Sequence, residues 1–232
     1  MYSDTEKMIA IIPARKGSKG LPGKNTMEFN GKPLICHTIE SAINSVMIDE
    51  VFVSTDDKEI ADISKSYGAK APFLRPSELA QDHSLINDTL KFMIEKIEET
   101  FSKELDSIIV LQPTSPLRTS DDIDNAINLF YEKGADSVIS FVKASHPILW
   151  HKAINEHGQI IENSYKQFSN RQDLEITYYP NGAIYIFSKE MVFSDVSYSD
   201  KTYAYLMPKE RSIDIDDISQ FNYAEYLAKQ QR

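Results

Sequence analysis

Apolar positions along the chain follow two periods in alternation. Met8 to Ile12 are five apolar residues in a row, the pattern of a strand buried on both faces. Pro13 is expected to stop its ladder. Leu34 to Ser45 places Leu34, Ile35, Thr38, Ile39, Ala42 and Ile43 at helical spacing. Glu50 to Asp56 reads as a second buried strand. Asp57 to Tyr67 reads as a helix capped by Asp56 or Asp57 and stopped by Gly68. A third short strand is expected over Ala69 to Leu74. This rhythm of strand and helix predicts an α/β fold, a parallel sheet covered on both faces.

The second half repeats the theme and then breaks it. Leu85 to Thr100 predicts a long helix, and Ser107 to Leu111 is the most apolar strand, so it should be central. Ser120 or Asp121 should cap a helix running to Lys133 and ended by Gly134, before a strand at Asp136 to Val142. From Lys143 to Tyr179 the alternation fails, and its aromatic content suits a subunit contact or a lid within the domain. Strands are expected again at Asn181 to Phe187, Ala204 to Met207 and around Ile213 to Ile215. Ile218 to Lys229 closes the chain as an amphipathic helix.

At 232 residues this predicts one domain, 1–232, with 143–179 as an insert inside it. The net charge of −10 argues against a general nucleic-acid binder. One cysteine, Cys36, leaves no internal disulfide and no thiolate metal cluster. Apolar runs fall far short of the roughly 20 residues that span a bilayer, and Met1 to Lys7 lacks the look of a signal peptide. No membrane partner is expected, and the cytoplasm is the default location.

Against this acidic background one basic loop stands out. Arg15, Lys16, Lys19 and Lys24 fall within ten residues, interleaved with Gly17, Gly20 and Gly23. Such cations repel one another unless an anion sits among them, and glycines let a ligand approach backbone N–H groups. A polyphosphate suits both features. Neither the Walker pattern nor Gly-x-Gly-x-x-Gly is present. Placement after the first buried strand nevertheless suits a ligand, because open α/β sheets bind at the carboxyl ends of their strands. A second feature is Asp214-Ile215-Asp216. On a strand the two carboxylates would share a face, a ligand set for magnesium alongside phosphate oxygens. Alternatively, Asp216 or Asp217 caps the last helix.

Six ordered motifs carry a resemblance that spans nearly the whole chain: Ile12-Pro13-Ala14-Arg15-x-Gly17-Ser18-Lys19-Gly20 with Lys24-Asn25; Val53-Ser54-Thr55-Asp56; Arg75-Pro76-x-Glu78-Leu79-Ala80-x-Asp82; Leu111-Gln112-Pro113-Thr114-Ser115-Pro116-Leu117-Arg118; Pro180-Asn181-Gly182-Ala183-Ile184-Tyr185; and Ile213-Asp214-Ile215-Asp216. Together they resemble the bacterial acylneuraminate cytidylyltransferases, the CMP-sialic acid synthetases. The resemblance implies a Rossmann-like, mostly parallel sheet with a small dimerisation subdomain, hence a homodimer. It implies that CTP and a nonulosonic acid, of sialic or legionaminic type, give the CMP-sugar and pyrophosphate with Mg2+ as cofactor.

Carried over by position, the pattern puts Arg15, Ser18 and Lys24 around the triphosphate. Asn25, Arg75 and Ser84 would lie along the nucleotide, with Asp82 bracing that loop. Gln112 would face the sugar, with Ser115 and Arg118 shaping its loop. Arg171, Asn181 and Tyr185 would close over the sugar, Arg171 reaching the partner subunit's site. Asp214 and Asp216 would hold magnesium. Arg15, Lys24, Asp214 and Asp216 are then the catalytic set. There are departures: Ile148-Leu149-Trp150 and Tyr179 stand where sialic acid-activating relatives often carry basic residues, which leaves the exact sugar open. Lys16 replaces a common glycine and is expected to be one more phosphate-facing cation. A CMP-3-deoxy-octulosonate-type synthetase, a metal-dependent Asp-x-Asp glycosyltransferase and a non-catalytic sugar-nucleotide sensor are the rival readings.

Overall fold

The computed structural model describes residues 7–17, 20–81, 84–161, 174–194 and 196–230. In chain order the strands are β1 (Met8–Pro13), β2 (Glu28–Phe29), β3 (Lys32–Pro33), β4 (Ile48–Ser54), β5 (Ser107–Leu111), β6 (Ser137–Lys143), β7 (Ala153–Ile154), β8 (Ile160–Ile161), β9 (Tyr178–Ser188) and β10 (Thr202–Leu206). The helices are α1 (Leu34–Ile43), α2 (Lys58–Ser66), α3 (Ile86–Phe101), α4 (Ser120–Lys133), α5 (Lys189–Phe193) and α6 (Ile218–Gln230). The main sheet runs β10-β6-β9-β5-β1-β4. β1 pairs parallel with β4 and β5, and β10 parallel with β6. β9 lies antiparallel between β5 and β6. The architecture is therefore the expected Rossmann-like α/β sheet, with β5 near its centre.

Each strand's continuous apolar run serves two cores. Ala10 and Ile12 of β1 join Val53, Ile109 and Leu111 under α1 and α4. Ile9 and Ile11 join Phe52, Ile108 and Val110 under Met93, Ile94 and Ile97 of α3. Neighbouring strand residues point to opposite faces, so both must be apolar when helices cover both sides. A third cluster, with Phe29, Leu34, Leu117, Ile215 and Phe221, binds α6 to the β2–β3 hairpin. Among the described residues, no helix is long and apolar enough to cross a membrane.

Several local expectations need correction. Ala69–Leu74 is not a strand: Lys70 alone bridges β4, accepting from Val53 and donating to the carbonyl of Val51. Pro72 follows two residues on, where the ladder needs its next N–H, and proline has none. Pro13 ends β1 from inside it, in register with Ser54. Thr119, not Ser120 or Asp121, caps α4, and forms a capping box with Asp122. The segment around Ile213 to Ile215 is not a strand either. Its backbone tie to that side is Ile215 N–H to the Thr114 carbonyl at 2.8 Å. Thr114 stands between Pro113 and Pro116, which cannot extend a ladder. Extended backbone still alternates, so Ile215 is buried while Asp214 and Asp216 both face the cleft.

Candidate active site

The carboxyl ends of β1 and β5 open into a cleft of about 450 Å³. Arg15, Lys24, Asn25, Arg75, Ser84, Gln112, Asp214 and Asp216 all line it. One cation-bearing wall comes from the loop after β1. Asn25, buried, donates to the Arg15 carbonyl at 3.0 Å and so fixes the loop's return. The opposite wall is the turn after β5, carrying Gln112 and Thr114. Ser18 and Arg171, with Lys19, Asp82 and His83, lie outside the described residues.

Lys24 ties the basic loop to the acidic segment. Its ammonium donates to the Ile215 carbonyl at 2.7 Å and lies 3.5 Å from Asp216 Oδ1. Gly20 packs against the Asp216 carbonyl so closely that an added Cβ would overlap it. Lys16 does not enter the cleft. Its ammonium pairs with Asp57 at 2.8 Å, and its N–H donates to Asp56 at 2.8 Å. The expected extra phosphate-facing cation is instead a strap onto the cap of α2, where Asp57 accepts from Ile60.

Burial pushes the Asp214 carboxyl above its ordinary value, and Asp216 adds to the rise, against a Thr114 hydrogen bond and Lys24. Asp214 Oδ1 is buried without a hydrogen-bond partner among the described residues. Asp216 is exposed. The cap of α6 is Asp217, which accepts from Ser219 at 2.7 Å and Gln220 at 2.9 Å. Gln220 in turn accepts from the Asp217 N–H, so the carboxylate of Asp216 is left for other work. No group of three or more His, Cys, Asp or Glu converges among the described residues. An orphaned carboxylate oxygen beside a second carboxylate fits a hard cation that completes its shell with ligand oxygens and water.

Other expected residues serve as struts. Arg75 is mostly buried, and its guanidinium donates to Ser54 Oγ, the Ser54 carbonyl and the Leu79 carbonyl at 3.1, 2.5 and 3.4 Å. Burial lowers it to about 10, with Asp56 opposing and Arg15 reinforcing the shift. Ser84 donates to the Glu78 carbonyl at 2.7 Å. Asn181 does not line the cleft. Its amide nitrogen donates to Ser212 Oγ at 2.8 Å, while its oxygen accepts from Ser140 Oγ at 2.5 Å and Ala183 N–H at 3.2 Å. Tyr185, half-buried and stacked on Phe187, is also absent from the lining. Arg118 is buried and donates to the Ala183 carbonyl at 2.8 Å and the Gln112 carbonyl at 3.3 Å.

Gln81, Thr89 and Thr114 also line the cleft. Thr114 lies inside a motif already noted; nothing local distinguishes Gln81 or Thr89. Gly182, at φ +78°, was hidden inside its motif. A Cβ there would lie 2.9 Å from Asp214 Oδ2 and 3.5 Å from Gln112 Oε1.

A family model described as a cytidylyltransferase matches residues 9–232. The N-acylneuraminate cytidylyltransferase of Streptococcus agalactiae serotype V is 40% identical over 219 residues, 93% of this chain and 52% of that protein. The CMP-N,N'-diacetyllegionaminic acid synthase of Legionella pneumophila is 39% identical over 218 residues, 90% of this chain and 91% of that one. The pseudaminic acid cytidylyltransferase of Campylobacter jejuni is 34% identical over 225 residues, 96% and 97% of the two chains. The chain thus spans about half the length of the streptococcal relative and nearly all of the other two. Among solved structures, a CMP:2-keto-3-deoxy-manno-octonic acid synthetase complexed with CTP is similar in fold at TM-score 0.72. It is 20% identical, and the match covers 97% of this chain and 100% of that one.

Proposed function

Because this chain belongs to the cytidylyltransferase family, we propose that it couples CTP to a nonulosonic acid, giving the CMP-sugar and pyrophosphate. The observation that carries the reading is the meeting of Arg15 and Lys24 with Asp214 and Asp216 in one cleft at the ends of β1 and β5. The anomeric hydroxyl of the acid attacks the α-phosphorus in line. The bond from that phosphorus to the bridging oxygen breaks, pyrophosphate leaves with the bonding pair, and the hydroxyl proton passes to water.

Arg15 and Lys24 offset the charge that grows on the departing pyrophosphate. Gln112 and Thr114 orient the acid from the wall after β5. Arg75 braces the nucleotide side through Ser54 and Leu79. Asp214 and Asp216 would hold Mg2+, which on binding neutralises phosphate oxygens and acidifies the attacking hydroxyl. The dimerisation role of residues 143–179 is supported by Ile148, Trp150, Ile154 and Ile161, all exposed. A cytoplasmic site suits a reaction fed by CTP.

Pyrophosphate release should be measured from CTP with sialic, legionaminic, pseudaminic and 3-deoxy-octulosonic acids. Release with one of the first three is expected. Release with none, or consumption of a CMP-sugar instead, refutes the reading. Asp214→Asn and Asp216→Asn should each cut turnover severely, with partial recovery at high Mg2+. Full activity of both at limiting Mg2+ places any metal elsewhere. Light scattering should give twice the 26.4 kDa chain mass, and Trp150→Asp should shift it toward the single mass. A wild-type monomer at micromolar concentration refutes the dimer.

A further inference from the structure

The two cleft carboxylates sit on a segment, 212–216, that no sheet ladder holds. What precedes it is anchored deep. Arg211 donates to Asp122 through Nε and Nη2, both at 2.8 Å, in a two-pronged pair. Asp122 is 1% exposed, and it also accepts from Thr119 N–H and Oγ1 at 3.0 Å and from Tyr205 OH at 3.1 Å. Asp122 lies in the first turn of α4, directly after the 112–118 turn that carries Gln112 and Thr114. Arg118 pins that same turn to β9 through the Ala183 carbonyl. One buried carboxylate therefore joins the turn forming one cleft wall to the segment presenting Asp214 and Asp216.

We propose that the Asp122–Arg211 pair is a positioning clasp that sets the acidic segment against the turn after β5, and that Arg211 thereby governs where Asp214 and Asp216 stand. The proposal rests on the cytidylyltransferase reading for its kinetic consequence, but its structural part stands alone. A planar guanidinium held by two parallel bonds fixes direction as well as distance, which a lysine cannot do. Arg211 is three residues from Asp214, too close for slack in the clasp to be absorbed before the carboxylates. Other ties of the segment include Asn181 to Ser212, Thr114 to Ile215 and to the Asp214 carboxyl, Lys24 to Ile215 and Asp216, and the Asp216 N–H to Gln220, none of them a two-pronged pair.

The test is amide hydrogen exchange on the whole ligand-free chain, comparing wild type with Arg211→Lys and Asp122→Asn. The Ile215 amide, bonded to Thr114, should exchange at least about tenfold faster in both variants, a local opening, while Ile109 in β5 keeps its protection. Lys189→Met, which removes the partly exposed ion pair to Glu98 far from the cleft, should leave Ile215 unchanged. If Arg211→Lys fails to fold, Tyr205→Phe removes a single bond from Asp122 and should give a smaller acceleration confined to the same segment. Unchanged Ile215 exchange in these variants, or equal acceleration of all amides, overturns the clasp.

In turnover, Arg211→Lys should lower kcat about 10- to 100-fold, the scale of an ångström-sized misplacement, with KM for CTP within about twofold. A purely stabilising pair would instead lower the melting temperature and leave kcat intact. Absence of turnover in wild type would defeat the functional reading while the exchange measurement still decides the clasp.

Discussion

Gly182→Ala tests whether the irregularity of β9 at Pro180-Asn181-Gly182 exists to make room for Asp214. The residue has φ +78°, and its missing Cβ would stand 2.9 Å from Asp214 Oδ2 and 3.2 Å from Asp214 Cγ. Left-handed backbone costs an alanine roughly 1–2 kcal/mol. For a domain of this size that lowers the melting temperature by about 2–8 °C. The second effect is local. To regain ordinary van der Waals distance the carboxylate must retreat on the order of half an ångström. A shift on that scale at a reacting centre should lower kcat about tenfold.

Gly134→Ala separates the two effects. Gly134 ends α4 at φ +53° and has nothing within 4 Å of its missing Cβ. It should lose similar stability and keep full turnover. The assay is pyrophosphate release at saturating CTP and acid across a Mg2+ titration, with a thermal melt of each ligand-free variant. If Gly182→Ala melts like Gly134→Ala and turns over like wild type at every Mg2+ concentration, the clearance argument is wrong.

Lys24→Ala should lower kcat/KM by at least about 100-fold, the scale of losing one transition-state donor, while the variant stays folded; activity within a few-fold of wild type removes Lys24 from the mechanism. Asp57 has its carboxyl lowered by the Lys16 hydrogen bond first, with burial opposing and N–H donors of α2 assisting. A depressed carboxyl contributes stability above its unfolded value of 3.8 and loses it as pH falls through the folded value. Asp57→Asn keeps a good cap but no charge pair, so its stability deficit by denaturant titration should be visible at pH 7 and shrink as pH falls below 3.8. A deficit that is constant with pH would refute this.

Strands buried on both faces announce themselves, because each residue must be apolar whichever core it meets; β1 and β5 were legible for that reason. The shared facing of Asp214 and Asp216 was legible too, although the strand expected to carry them is absent. Burial alternates from Asp214 to Asp216 without a ladder, while a ladder needs a neighbour, which the prolines around Thr114 deny. What stayed hidden depends on partners far along the chain. No local pattern shows that the Arg75 guanidinium is spent on Ser54 and Leu79, or that Asn181 ties Ser212 to β9 rather than facing the cleft. Lys16 was misread for the same reason: a cation in a basic loop looks phosphate-facing until Asp57, 41 positions away, is seen beside it. The direction of β9 was equally silent, since an apolar strand reads the same in either sense.

That direction has a consequence for how such a chain can change over generations. Ile184 pairs with Leu111, the last residue of β5, so residues 178–183 run past the end of β5 beside β6 before the strand descends between its neighbours. The stretch from β6 to β9 thus leaves and re-enters the sheet at the carboxyl-end rim, whereas the cation loop and the loop carrying Arg75 follow β1 and β4 on the other side of β5. Insertions, deletions and substitutions in that stretch can accumulate without shifting the register of β1, β4 or β5. On the proposed function, heritable variation in which acid is accepted would thereby be uncoupled from the inherited handling of the nucleotide.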